Sequence, residues 1–291
     1  MQSAALPRID LTSLSLSAME TLVVACCVEA NDDLESIQLF QARLSVRELR
    51  GHNALQVVSF EKEKLCAQDL ILISSFLRGN KDSWALNLRG HTICLCDNAH
   101  GANTPEGVMA LADLFNHNKA LKRVDLRKSG IGREGKLILG RKLMTAQKGS
   151  VQELLVDEWH IPEFGESLSL QGLKLGPADA CLISGVLCWH ASVRILNLSC
   201  NRLGSDGLVY LSELVRVNDL LIALDLSSNN LGGYVDRYGN FVRTPAGLLS
   251  LAEALKENSH IELLDVRNNH VAGAELVALQ QAIPSGMSLV V

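Results

Sequence analysis

The sequence predicts an α/β solenoid, in which strand, turn and helix recur so that parallel strands lie side by side with helices behind them. Three observations carry this. First, the stretch Val193 to Gly207, VRILNLSCNRLGSDG, places apolar residues at Val193, Leu196, Leu198 and Leu203 with Asn201 among them, the pattern LxxLxLxxNxL followed by a helix opening. Second, the pattern recurs on a fixed step: Leu168, Leu196 and Leu224 stand 28 residues apart, and Leu264 opens LLDVRNNHV with Val266, Asn269 and Val271 in register. Third, 47% of the chain is hydrophobic but only 4% is aromatic, a balance suited to a core of stacked aliphatic layers.

Each part of the unit has a physical reason. Leu196 and Leu198 alternate as a strand requires to turn one face into a core. The chain then turns sharply, and a buried Asn at position 201 can satisfy backbone groups left short of partners. From Asp206 the period becomes helical, with Leu208, Leu211, Leu214 and Val215 on one face. Such a unit cannot bury its apolar side alone and so requires neighbours of its own kind.

In chain order, Ile9 and Ile37 begin two strands 28 residues apart, with a helix-like stretch from Ser17 to Ala30 between them. A shortened step reaches Val58, a full period reaches Leu86, and Val124 follows after an insertion, CLCDNAHGAN. The helix TPEGVMALADLF then opens with Thr104 as N-cap and Pro105 in its first turn, and TPAGLLSLAEAL repeats the device with Thr244 and Pro245 after a second insertion, GGYVDRYGNFVR. Gly107, Gly207 and Gly247 each precede their next core strand residue by 17 positions, which puts both insertions between turn and helix. VQELLVDEWHI reads as a strand at Leu154 and Val156. Pro162 and Gly165 argue for a loop in place of a helix before Leu168. A last helix spans about Ala274 to Ile283, and MSLVV suggests a closing half-repeat strand. The expectation is one domain over 1–291 of nine to ten repeats, degenerate over 1–85 and regular over 86–291, with insertions near 94–103, 157–167 and 232–243; neither end carries a polar cap.

The chemistry of sites is sparse. No phosphate loop, HExxH, GxSxG or kinase signature occurs, so no catalytic residue and no cofactor is expected. His91, Cys94, Cys96 and His100 have spacing that can hold zinc, though ordinary buried thiols and a turn histidine explain them equally; the other histidines read as surface or turn residues. The net charge of −5 is dispersed and argues against a nucleic-acid partner. The eight Cys are scattered through apolar phases and frame no disulfide scaffold, which favours an intracellular, reduced compartment. LVVACC resembles a signal-peptide core, but Glu20 interrupts it and the segment fits a repeat helix; no stretch has the ~20 apolar residues of a membrane span.

Strand alternation puts Asn87, Asp125, Ser169, Asn197, Asp225 and Asp265 in one exposed row and Arg89, Arg127, Gln171, Ser199, Ser227 and Arg267 in the next. Arg89, Asp125 and Arg127 are its candidate partner contacts. The insertion at 232–243 offers Tyr234, Tyr238, Phe241 and Arg243, residue types that anchor interfaces; the alternative is that these rings fold back and steady the loop.

With its 28-residue period, LDLSSNNLGG and the TPAGLLSLAEALKEN helix, the chain resembles the ribonuclease-inhibitor-like subfamily of leucine-rich repeat proteins. The resemblance is sharp from Leu168 onward and blurs before Leu86. It implies a curved solenoid with an inner parallel sheet and outer helices, and binding to proteins. The expected function is a non-catalytic interaction module, an accessory subunit of a larger assembly, cytoplasmic with cytoskeletal or axonemal association as one setting. A GTPase activator similar to the Ran activator is the alternative, against which stands the lack of an acidic C-terminal run. A nuclease-inhibitor-like binder is the other; it needs acidic grooves, and three aspartates beside three arginines do not make them.

Overall fold

Short strands and helices alternate along the chain because each repeat switches its apolar spacing from two to three or four residues. The computed structural model describes residues 8–38, 43–52, 55–60, 65–91, 105–146 and 150–291. They gather into two compact units, Met1–Lys142 with Ala146–His160, and Leu143–Thr145 with Ile161–Val291.

The first unit runs β1 (Arg8–Asp10), α1 (Ala18–Glu29), β2 (Ser36–Gln38), β3 (Arg43–Ser45), α2 (Val46–Leu49), β4 (Val57–Ser59), α3 (Ala67–Leu77), β5 (Ala85–Asn87), α4 (Glu106–His117), β6 (Arg123–Asp125), α5 (Gly132–Met144), β7 (Glu153–Leu155) and β8 (His160–Ile161). The second runs β9 (Ser167–Ser169), α6 (Pro177–Leu187), β10 (Ile195–Asn197), α7 (Gly204–Val217), β11 (Ala223–Asp225), β12 (Gly233–Val235), β13 (Phe241–Arg243), α8 (Ala246–Glu257), β14 (Leu263–Asp265), α9 (Ala274–Ala282) and β15 (Ser288–Val290).

The register follows the leucine phase. In parallel pairs Ile9 faces Ile37, Val58 faces Leu86, Leu86 faces Val124 and Val124 faces Leu154. In the second unit Leu168 faces Leu196, Leu196 faces Leu224, Leu224 faces Leu264 and Leu264 faces Leu289. MSLVV therefore does form a strand, β15. The core leucines of β10, β11 and β14 and their partners two residues on are fully buried, as the alternation requires.

The early repeats depart from a continuous array. After β2 the chain doubles back into β3, antiparallel, with Ile37 opposite Leu44, and the short α2 follows at once. The shortened step leaves no room for a full repeat helix there. Between β7 and β9 there is no helix among the described residues; Val156 donates to Trp159 O at 3.0 Å, and Trp159 and Ile161 are buried.

Asparagines hold the turns together. Asn201 Nδ2 donates to Leu170 O at 2.9 Å and Leu198 O at 2.8 Å, while its Oδ1 accepts from Leu175 N at 3.0 Å. Asn229 and Asn269 repeat this one and two strands on. A second series closes the helix ends. Asn118 Nδ2 reaches Leu77 O at 2.6 Å, Asn218 reaches Leu187 O at 2.7 Å and Asn258 reaches Val215 O at 2.6 Å, and each Oδ1 accepts two backbone N–H groups ahead of the next strand. His190 takes that place in its own repeat, accepting at Nδ1 from Ser192 N and Val193 N with Nε2 3.0 Å from Pro162 O, so it is a buried structural residue and not a surface one.

Candidate interaction surface

The 232–243 insertion folds as a β-hairpin, β12 against β13, with Tyr234 opposite Val242 and Val235 opposite Phe241. Its tip is tied by one carboxylate: Asp236 accepts from the backbone N–H of Tyr238 and of Asn240, both at 2.8 Å. The bond from Asn240, with that from Tyr238, holds Asp236 below the usual carboxylate range. Gly239, at φ 83°, supplies the left-handed turn residue.

Pairing divides the ribbon into two faces. Gly233, Val235, Phe241 and Arg243 share one. Phe241 crosses Gly233, where an added Cβ would stand 2.5 Å from the ring, and meets His270 edge-on with ring centroids 5.1 Å apart. Arg243 Nε donates to Glu275 Oε1 at 3.0 Å and Nη2 to Glu275 Oε2 at 2.8 Å, next to Ala272 O. The Glu275 carboxylate is buried, and the hydrogen bond from Arg243 holds its pKa below the usual value. Phe241 and Arg243 thus fasten the hairpin to the turn and helix of the following repeat. Tyr234 belongs to the opposite face and is 49% exposed; Tyr238 at the tip is 72% exposed, with the Arg237 guanidinium 4.7 Å from its ring centroid. Phe241 and Arg243 make contacts with the following repeat while staying about half exposed, whereas Tyr234 and Tyr238 extend into solvent.

The strand rows also differ from the alternation argument. Asn87, Asp125, Asn197, Asp225 and Asp265 each accept the backbone N–H two residues on, at 2.9–3.0 Å, and so close the turn that follows each strand. Asp125, Asp265 and Ser199 are buried, contrary to the exposed rows expected of them. The cause is plain in two cases: Arg127 and Arg267 fold back over Asp125 and Asp265, donating from Nε and Nη2 to both carboxylate oxygens. Burial alone would raise Asp125, but the bonds from Arg127 keep it low; for Asp265 the bond from Arg267 is the main cause of a lowered pKa. Arg89 is exposed on the neighbouring strand's turn.

Alternation also exposes a row that the sequence reading passed over. Ile195 and Leu263 precede the core leucine and are exposed, in register with Ala223 between them. Two strand spacings separate Ile195 from Leu263, about 10 Å. Phe164, on the loop before β9, is exposed as well, while the loop carbonyls beside it accept from Ser192 Oγ and lie against His190.

Among the described residues no group of three or more His, Cys, Asp or Glu side chains is placed to hold a metal ion; Cys94, Cys96 and His100 lie outside those residues, as do the insertion near 94–103 and Thr104. His91 is buried, with Leu65 N donating to its Nδ1 at 3.4 Å. Burial pushes the thiols of Cys66 and Cys188 up to about 12, which leaves them un-ionised. Thr244 does not cap α8 through its side chain; Pro245, at φ −76° and ψ −18°, already has helical geometry. No helix among the described residues is long and apolar enough to cross a membrane.

Residues 190–212, which include β10 and the first turns of α7, match the family model described as Leucine Rich repeat. The chain is 29% identical over 168 residues to leucine-rich repeat-containing protein 45 of Gallus gallus, an alignment that takes in 55% of this chain and 22% of that protein; the match therefore spans about a fifth of the relative's length. Solved structures with some likeness are actin-binding site 2 of leiomodin-1 (TM-score 0.31, 12% identity, 74% of this chain and 86% of that one) and the tropomodulin C-terminal domain of Caenorhabditis elegans (TM-score 0.32, 13% identity, 60% and 90%). By its repeats and register the chain has the leucine-rich repeat fold, and the ribonuclease-inhibitor-like subfamily stays a resemblance.

Proposed function

We propose that this chain is a non-catalytic protein-interaction module, working as one leucine-rich repeat domain and as an accessory subunit of a larger intracellular assembly. The observation that carries the reading is the hairpin β12–β13. One face is fastened by Phe241 and Arg243, so Tyr234 and Tyr238 are held in the solvent on a pre-formed ribbon. Rigid tyrosines contribute contact area at little conformational cost on binding, which is how interface anchors work. Arg89, Asp125 and Arg127 belong to the proposal as a second contact, with Asp125 acting by holding Arg127.

The test begins with gentle isolation of the protein from its source, measurement of its native mass and identification of the chains that co-purify. A discrete complex is expected. Tyr234→Ala with Tyr238→Ala should then weaken binding of the co-purified partner by about 2–4 kcal/mol with little change in thermal midpoint. A double variant that binds its partner like the wild type overturns the assignment of the tyrosines, and a lone monomer overturns the subunit reading.

A further inference from the structure

We propose that the solvent side of α1 is a second docking surface, and that its occupant is an amphipathic helix whose apolar stripe is flanked by Lys or Arg. α1 turns an apolar stripe to solvent between Glu20 and Glu29. Of its 12 residues α1 buries Thr21, Ala25 and Val28, while Met19 (69%), Val23 (59%), Leu22, Cys26 and Cys27 are exposed. Positions 19, 22, 23, 26 and 27 follow the i, i+3, i+4, i+7, i+8 spacing that forms one stripe about 12 Å long. A helix apolar on both sides belongs between two neighbours. The described structure supplies one, α3, which lies beside α1 with Ser75 Oγ donating to Glu29 Oε2 at 3.1 Å.

The helix is firmly held, so the stripe is presented in one geometry. At its start Ser17 and Glu20 form a reciprocal capping box. At its end the Arg50 guanidinium donates to Val28 O and Asn31 O, both at 2.8 Å, and to Glu29 O at 3.0 Å.

Charge selects the occupant. Residues 17–35 contain Glu20, Glu29, Asp32, Asp33 and Glu35 and not one Lys or Arg. Arg50 is engaged with backbone carbonyls, and Arg47 stands 3.7 Å from Glu35. A second copy of α1 would set this acidic border against itself, and an anionic lipid surface would be repelled. Glu20 and Glu29 lie on the two sides of the stripe by helix spacing, so a helix with basic flanks meets apolar and acidic residues together, which favours both encounter and register.

The stripe carries its own reporters. Maleimide labelling of Cys26 and Cys27 is followed by mass mapping, with exposed Cys200 in the other unit as the internal control. The probe is an 18-residue helical peptide with leucines at i, i+3, i+4 and i+7 and lysines at the flanks, compared with the same peptide carrying glutamates. The lysine peptide should slow labelling of Cys26 and Cys27 by about tenfold at low salt, leave Cys200 unchanged, and lose its effect on Val23→Glu protein that keeps its circular dichroism. The Tyr234→Ala, Tyr238→Ala protein should behave like wild type, which separates this surface from the hairpin. Equal protection by both peptides, no protection by either, thiols already shielded in a dimer by sedimentation, or shielding by phosphatidylserine vesicles in place of the peptide would each overturn the proposal.

Discussion

At the residue scale the repeat is governed by what a tight turn does to backbone groups. Lys128, Cys200, Ser228 and Asn268 adopt φ of 55–58° four residues after the core residue of their strands, where Gly90 and Gly172 stand in other repeats. The left-handed turn withdraws backbone groups from the sheet, and in the repeats of Cys200, Ser228 and Asn268 a buried Asn at 201, 229 or 269 replaces the missing partners. Asn269 shows the arrangement in full. Its Nδ2 donates to Leu226 O, Val266 O and Arg267 O at 2.8, 3.0 and 3.1 Å, and its Oδ1 accepts from Asn229 N at 2.6 Å. Asn269→Ala leaves several of these groups buried and unpaired, and should cost about 3 kcal/mol or more. Urea unfolding measures it as a lower midpoint at an unchanged slope. This Asn series was legible in the sequence because it recurs on the leucine phase. The helix-end series of Asn118, Asn218 and Asn258 was not, since each sits beyond a helix whose end the sequence marks only loosely.

At the element scale the helices pack through their first turns, and glycine sets how near they come. A Cβ on Gly247 would stand 2.4 Å from Ser205 O and 2.9 Å from Leu208 Cβ; one on Gly107 would stand 2.8 Å from Ala67 Cβ. Gly247 N also donates to Ser205 Oγ at 2.8 Å. In a free helix Gly→Ala stabilises by about 1 kcal/mol. Here Gly247→Ala should instead destabilise, by about 1–3 kcal/mol, because α7 and α8 must separate to admit a methyl group. A raised thermal midpoint would show that the contact yields freely. The sequence displayed these glycines as a constant offset from the next strand, and the close approach of neighbouring helices supplies the reason. It also displayed the hairpin's aromatic residues, but not its division into two faces: that depends on Val235 standing opposite Phe241, a register fixed by the tip around Asp236.

At the scale of the whole molecule, both units contain carboxylates whose arginine partners hold their pKa low: Asp125 in the first, Asp265 and Glu275 in the second. A carboxylate with a lower pKa folded than unfolded contributes stability that is present above the unfolded value, about 4, and is lost as pH falls through the folded value. The thermal midpoint should therefore be steady at neutral pH and decline below about pH 4. Asp69 has the opposite sign, since burial raises its pKa and acid relieves the cost of its charge. Arg267→Met should flatten the acid limb by removing the partner of Asp265; an acid limb as steep as that of the wild type would sink the linkage.

The sequence by itself determined the repeat, its phase and the register of the parallel strands, because the core apolar position recurs in the same LxL context and a slip by one residue would turn the core outward. It determined the site of the hairpin and the residue types on it. Only the tertiary structure decided which of those residues are covered and which meet water. Exposure depends on contacts that no local pattern encodes: Arg127 and Arg267 fold over the aspartates two residues back, Arg243 reaches Glu275 on the next helix, and α1 finds a neighbour on the side of Thr21, Ala25 and Val28. Alternation says which way a side chain leaves the backbone, and the neighbouring chain decides whether it meets water.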